Sequence, residues 1–374
     1  MTINDKILKE VIKLAVNDAN VFVATNGQNI LRPPTYNRDR YIDNLINDKY
    51  FVVLTILRHY IKLASDAYWS GVGAKNIDLF MLTPSASSPM GPSSDSKVIT
   101  IQFGKYETNL TDSSQFGLEP LMFHFNKAYC YLPSMRGENP DVRHLNQFFH
   151  CEAEIVGTLE DLLPIVENYV RILSHTLIAL TPIVELMSID FAKTNSALRS
   201  IISTDSFPKK TFDDIYPWLQ KTPSFYTVNN FGRNITNSGE IVLAEREGNG
   251  LPMWLCNYDR DIIPFYQKPN PANTNTVINA DLLFAPILRG SFGGEIIGSG
   301  QRQDTPEEMI ESLNRQRIEI EPYEWYINLR KYPHYKITSG FGLGIERFVS
   351  WALGYSDIKD VIHYPRLKNI KTLP

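Results

Sequence analysis

The chain has 374 residues, 43% of them hydrophobic and 21% charged, an ordinary globular composition with room for one large domain or two medium ones. Its formal net charge of −4 excludes a global basic field of the kind that grips RNA over a broad surface, because phosphate neutralisation supplies most of that affinity. Three scattered cysteines, Cys130, Cys151 and Cys256, exclude a disulfide framework and a CxxC metal site and read as thiols in a reducing cytosol.

Leu8, Val11, Ile12 and Ala15 recur at helical spacing among charged residues and predict a short amphipathic helix over 4–16. The segment lacks the apolar core and cleavage site of a signal peptide. Gly27, Pro33 and Pro34 make 26–40 a loop. A long helix is expected from Asp48 to Ala67, apolar on more than one side, and a strand from Ile77 to Leu82, stopped at Thr83-Pro84. Residues 85–97 are loop. Strands are expected at 98–103, 128–132, 148–156, 253–256, 278–284 and 295–297, and helices at 114–125, 159–189, 306–318 and 345–353. Many strands flanked by helices, without regular βαβ alternation, predict an α+β fold with a mainly antiparallel sheet. No apolar run approaches the roughly 18 residues needed to span a bilayer, so the sequence reads as a cytoplasmic protein with no membrane partner.

Three constellations carry chemistry. In the first, Arg136 and Glu138 close a strand, a tight loop follows at 139–141, and the chain returns through Arg143, His144 and Phe148. Strand alternation puts Phe148, His150, Glu152 and Glu154 on one face. The second, Gly294 to Arg302, is read as a glycine-rich turn that lets backbone approach a ligand between Glu295 and Arg302. The third, Gly340-Phe341-Gly342-Leu343-Gly344, enters a helix bearing Arg347. It nearly has a dinucleotide-site spacing, yet no βαβ unit surrounds it, so its glycines are assigned to close strand-to-helix packing that aims Arg347 into a cleft.

In order and separation these segments resemble the signature motifs of the class II aminoacyl-tRNA synthetases, asparaginyl type. PSMRGENPDVRHLNQFFHCEAEI is similar to motif 2 of that family, GGEIIGSGQRQ to its GEIIGGSQRE, and SGFGLGIERFVSWALGYSDIKDVIHYPR to motif 3 and the closing FPR. The resemblance implies a class II synthetase-like antiparallel sheet flanked by helices, ATP as cosubstrate with Mg²⁺, and a homodimer built on the 48–67 helix and the strand ending at Pro84. It implies that Arg136 bridges the α-phosphate and the reacting carboxylate and that Arg347 holds the γ-phosphate side. Phe148 and Glu138 would take the adenine, Arg143 and His144 the terminal phosphates, and Asp281 with Glu295 the metal. Ser113, Gln115, Glu152 and Arg302 match positions that contact the amino acid, with Glu152 orienting Arg302.

The chain also departs from that pattern. Residues 85–92 contain no carboxylate where the family has one for the substrate amino group, and six extra residues separate Asp281 from Glu295. A catalytic domain is expected over 47–374. The 1–46 segment ahead of it looks helical or irregular, unlike the β-barrel with which the family reads an anticodon. The resulting expectation is an AMP-forming ligase that adenylates aspartate or a related acid and passes it to ammonia or another amine, with tRNA not a partner. Transfer to a tRNA or carrier, and a non-catalytic regulatory role, are the alternatives.

Overall fold

The computed structural model describes residues 6–87 and 96–373. Part of the carboxylate-free stretch noted above lies outside them. Eight strands make one sheet: β1 Lys75–Asn76, β2 Lys127–Met135, β3 Gln147–Val156, β4 Lys209–Thr211, β5 Met253–Cys256, β6 Asn279–Phe284, β7 Gly294–Gln301 and β8 Thr338–Gly344. Their order is β1-β2-β3-β8-β7-β6-β5-β4. Every pairing from β2 to β5 is antiparallel, and only the two edge strands pair parallel. The expected α+β architecture is the one the chain adopts.

Alternation divides the sheet into two unlike faces. Cys151, Ala153 and Ile155 of β3, Phe341 and Leu343 of β8 and Ile297 of β7 are all buried in the main core. Over them lie helices α1 Lys6–Asn26, α2 Lys49–Gly71 and α3 Leu159–Ala179. Trp69 of α2 stacks on Phe341 with ring centroids 5.2 Å apart, and Tyr169 of α3 meets the same ring edge-on. Helix α1 continues ten residues past the expected end, because Ala19 and Phe22 keep its buried period against the same core. The expected 159–189 helix is broken by an 86° bend after α3, where Pro182 starts a new helix. Among the described residues no single helix is long and apolar enough to cross a membrane.

Two expectations fail instructively. The apolar run 77–82 is not one strand. Lys75–Asn76 joins the large sheet, while Leu82–Thr83 pairs with 109–110 in a separate three-stranded sheet. The intervening Ile77 and Leu79 pack on the cluster around Leu118 and Met122. Residues 294–301, moreover, form a strand rather than a turn, and residues 338–344 form a second strand that leads into its helix. Their glycines recur every second residue, so they empty one face of β7 and β8 while the residues between them fill the other.

That emptied face is the floor of the site. Gly344, Gly342 and Gly340 of β8 stand opposite His150, Glu152 and Glu154 of β3. On the other side, Gly342 and Gly340 face Gly298 and Gly300 of β7, which face Asp281 and Asn279 of β6. Bare of side chains at 298 and 300 and at 340, 342 and 344, the two strands form a trench between two polar rows, about 14 Å apart by three interstrand spacings.

Candidate active site

Two adjoining cavities open over the trench. The seven residues expected at ATP, Arg136, Glu138, Arg143, His144, Phe148, Glu295 and Arg347, all line the first. Ser113, Gln115, Glu152, Asp281 and Arg302 line the second. Arg136, His150, Glu295 and Gly342 belong to both.

Arg136 follows β2, where its backbone N–H donates to the Asn146 carbonyl (3.1 Å) and the Asn146 amide donates back to the carbonyls of Arg136 and Glu138, both at 2.8 Å. The hairpin is pinned without using the guanidinium, which lies over the Phe148 ring at 5.4 Å. Its buried Nε has no partner among the described residues, so it is available to a ligand. Glu138 accepts from the Lys97 N–H (3.2 Å). Arg347 sits in the first turn of helix α5, Ile345–Leu353. Neighbouring Glu346 pins that turn, accepting from the Phe149 N–H (2.9 Å) and pairing with Arg58 of α2 (2.8 Å). Arg347 itself donates to the carbonyl and carboxylate of Glu295, each at 3.2 Å. Arg143 packs over Phe292 at 4.6 Å, and burial together with the Arg347 charge lowers its pKa to about 10. His144 pairs with Asp141 at 2.9 Å.

Carboxylates crowd the same end. Burial raises Glu295, but Arg347 and Arg143 outweigh it and hold the group below its usual range. Asp281 is pushed well up, by burial and then by the charges of Glu295 and Glu240. A side chain at Gly298 would stand 3.4 Å from one Glu295 oxygen and 3.6 Å from one of Asp281, so the two carboxylates flank one point on the trench floor. The extra residues before Glu295 fall in the 285–293 loop between β6 and β7 and leave this pair together. Two mutually repelling carboxylates suit a hard divalent cation. No three metal-donor side chains converge among the described residues, so Mg²⁺ would take its remaining ligands from phosphate and water.

The other end of the trench is built around Arg302. Its Nε and Nη2 donate to the two oxygens of Glu154 (3.0 and 2.8 Å), which corrects the expected pairing with Glu152. Glu152 instead accepts from the Ser113 hydroxyl and the Ser114 N–H (2.7 Å), and its pKa is raised by burial in spite of these bonds. Gln115 donates to Glu119 (2.8 Å), which also binds Arg330 (2.8 Å). Arg302, Arg330, Glu154 and Glu119 are all buried and make a quartet of two positive and two negative groups.

Some participants carried no role in the sequence reading. Glu154 was placed on the right face by alternation but given no function. His150, hydrogen-bonded through Nδ1 to Ser134 (2.9 Å), is kept neutral by burial and by the charges of Arg136 and Arg347. Glu240, on helix α4 (Asn237–Glu247), accepts from the Glu295 N–H (3.0 Å). It comes from a stretch without strong periodicity, and no signal near it in the chain marked it out.

The family model described as tRNA synthetases class II (D, K and N) matches residues 34–368. The asparagine–tRNA ligase of Mycoplasma pneumoniae is 29% identical over 71% of this chain and 59% of its own length. A probable cytoplasmic asparagine–tRNA ligase of Encephalitozoon cuniculi is 28% identical over 82% and 65%. The chain thus spans about three fifths of the length of these relatives. Among solved structures, Pyrococcus horikoshii asparaginyl-tRNA synthetase complexed with asparaginyl-adenylate superposes with a TM-score of 0.78 at 24% identity, covering 89% of this chain and 72% of that one. The Entamoeba histolytica asparaginyl-tRNA synthetase in complex with asparaginyl-adenylate gives 0.71 at 25%, covering 90% and 71%. With the fold, the motif order and the family model in agreement over most of its length, the chain belongs to the class II tRNA synthetases of the D, K and N group.

Proposed function

We propose that this chain activates asparagine as its adenylate, using ATP, and transfers the asparaginyl group to tRNA. The observation that carries the reading is Arg136, whose buried Nε has no hydrogen-bond partner among the described residues, on the wall shared by an arginine-rich cavity and a larger polar one. Joining a carboxylate to the α-phosphorus brings two anions together, so the site needs fixed cations more than acid or base groups. The amino acid carboxylate forms a bond to phosphorus and the bond to the bridging oxygen of pyrophosphate breaks. Arg136 spans both reactants with its planar fork, while Arg347 and Arg143 hold the phosphates and Phe148 and Glu138 the base. Asp281 and Glu295 would hold Mg²⁺, which, when bound, screens phosphate charge.

The sequence pointed to aspartate or a related acid. The quartet speaks against it. Arg302 is already neutralised by Glu154, and a further buried carboxylate would go uncompensated beside Glu152. A neutral carboxamide suits this end better. The relatives likewise favour transfer to tRNA over transfer to ammonia, and the expectation that tRNA is no partner finds no support in them. In the test, asparagine should drive ATP–pyrophosphate exchange at least about 100-fold better than aspartate, as buried-charge discrimination allows, and label should pass to tRNA. Equal exchange with aspartate would refute the asparagine reading; release of label only to ammonium would refute the acceptor.

We further propose a homodimer in the cytoplasm. The groove lined by Thr55, His59 and Lys62 of α2, with Tyr131, Phe149 and His363, is mostly apolar and continues to exposed Val52, a surface a partner protomer would cover. The expected strand ending at Pro84 contributes only Leu82–Thr83. Sedimentation should give twice the chain mass at micromolar concentration; a monomer would refute it.

A further inference from the structure

At the charge-balanced end of the trench, the buried side-chain oxygen of Gln267 has no hydrogen-bond partner among the described residues. Gln267 is 8% exposed, and its side chain lines the same cavity as Arg302 and Glu154. A buried amide oxygen left unpaired is costly and calls for an explanation.

Its placement is built into the backbone. Gln267 and Arg302 face each other in an antiparallel bridge. On either side, the Lys268 N–H donates to the Gln301 carbonyl (2.8 Å) and the Gln303 N–H to the Tyr266 carbonyl (2.9 Å). The Gln303 amide also donates to the carbonyl of Gln267 (3.1 Å). Residues directly opposite in such a bridge project to the same side, so the Gln267 amide stands beside the Arg302 guanidinium. Gly300 leaves it room: a side chain there would overlap the Gln267 amide oxygen. The amide therefore lies over the trench floor, at the end remote from Asp281 and Glu295.

We propose that Gln267 is a specificity-determining residue, whose Oε1 accepts the N–H of the substrate carboxamide while Arg302 donates to the carboxamide oxygen. Arg302 spends Nε and Nη2 on Glu154, and among the described residues no such bond engages Nη1, which is left for a ligand. One donor and one acceptor side by side match the two heteroatoms of a primary amide. A carboxylate would set a second oxygen against Oε1. Rotating the Gln267 amide would relieve that clash but not the added charge beside Glu152 and Glu154. The assignment rests on the asparagine reading above and extends it to a named contact.

The test compares asparagine with the β-methyl ester of aspartate, which keeps a carbonyl oxygen but has no N–H to give. Binding of each is titrated to the whole chain, wild type and Gln267→Met, a variant of similar length without hydrogen-bonding capacity. Gln267→Met should weaken asparagine roughly tenfold, the worth of one neutral hydrogen bond, leave the ester nearly unchanged, and leave ATP binding unchanged as a check on the fold. Gly300→Ala, which displaces the amide without altering it, should lower the asparagine-to-ester ratio in the same direction. Equal weakening of both ligands, or of neither, in Gln267→Met overturns the assignment while leaving asparagine activation standing. Failure of the wild type to bind asparagine overturns the activation reading itself, and this assignment with it.

Discussion

Replacing Arg136 with alanine is expected to slow adenylate formation by about 1,000-fold, the scale on which preorganised charge at a developing phosphoryl anion acts. The loss should fall on kcat. Arg347, Arg143 and Phe148 remain to bind ATP, and the hairpin that carries residue 136 is held by Asn146 through backbone groups, so stability should hardly change. Arg136→Lys keeps the charge but not the fork and should fall between the two. Pyrophosphate exchange measured over a range of ATP concentrations separates the effects. A loss below tenfold, or a loss confined to KM for ATP, would remove Arg136 from the reaction.

The second large effect concerns Arg302. Changing it to lysine should weaken asparagine binding by roughly 2–4 kcal/mol, because a buried, hydrogen-bonded charge pair loses its geometry. Arg302→Met should also destabilise the fold by about 3–5 kcal/mol, since Glu154 would be left buried and unpaired. The trench floor offers an independent check. A side chain at position 340 would overlap both Glu154 and Arg302, whereas one at 342 would meet Glu152 at an ordinary 3.5 Å. Gly340→Ala should therefore resemble the Arg302 variants, and Gly342→Ala should leave stability nearly unaltered. Separate titrations of ATP and asparagine, with a thermal melt, distinguish the cases. Collapse of ATP affinity with asparagine affinity intact would mean that Arg302 serves the wrong ligand in this account.

Much of the nucleotide end was legible in the chain because its residues lie close together in sequence. Arg136 to Phe148 is one hairpin, Arg347 opens a helix with a sharp start, and strand alternation alone put Phe148 to Glu154 on one face. The turn expected at 294–302 was misread for a definite reason. Glycine clusters usually signal turns, but at 298 and 300 and at 340, 342 and 344 they alternate with residues that fill the core, and period two is the signature of a strand with one face left empty. The pairing of Arg302 could not be chosen from sequence, since Glu152 and Glu154 share a face and only strand register decides which lies under the guanidinium. Glu240 comes from a segment with no local pattern, Gln267 was given no role, and only the tertiary fold brings them to the site.

The most direct measurement is to mix the chain with ATP, Mg²⁺ and asparagine, quench in acid and identify the products by mass. Asparaginyl-adenylate should appear together with pyrophosphate, and AMP should accumulate once tRNA accepts the asparaginyl group. Release of ADP and phosphate, or no asparagine-dependent product at all, would contradict the mechanism.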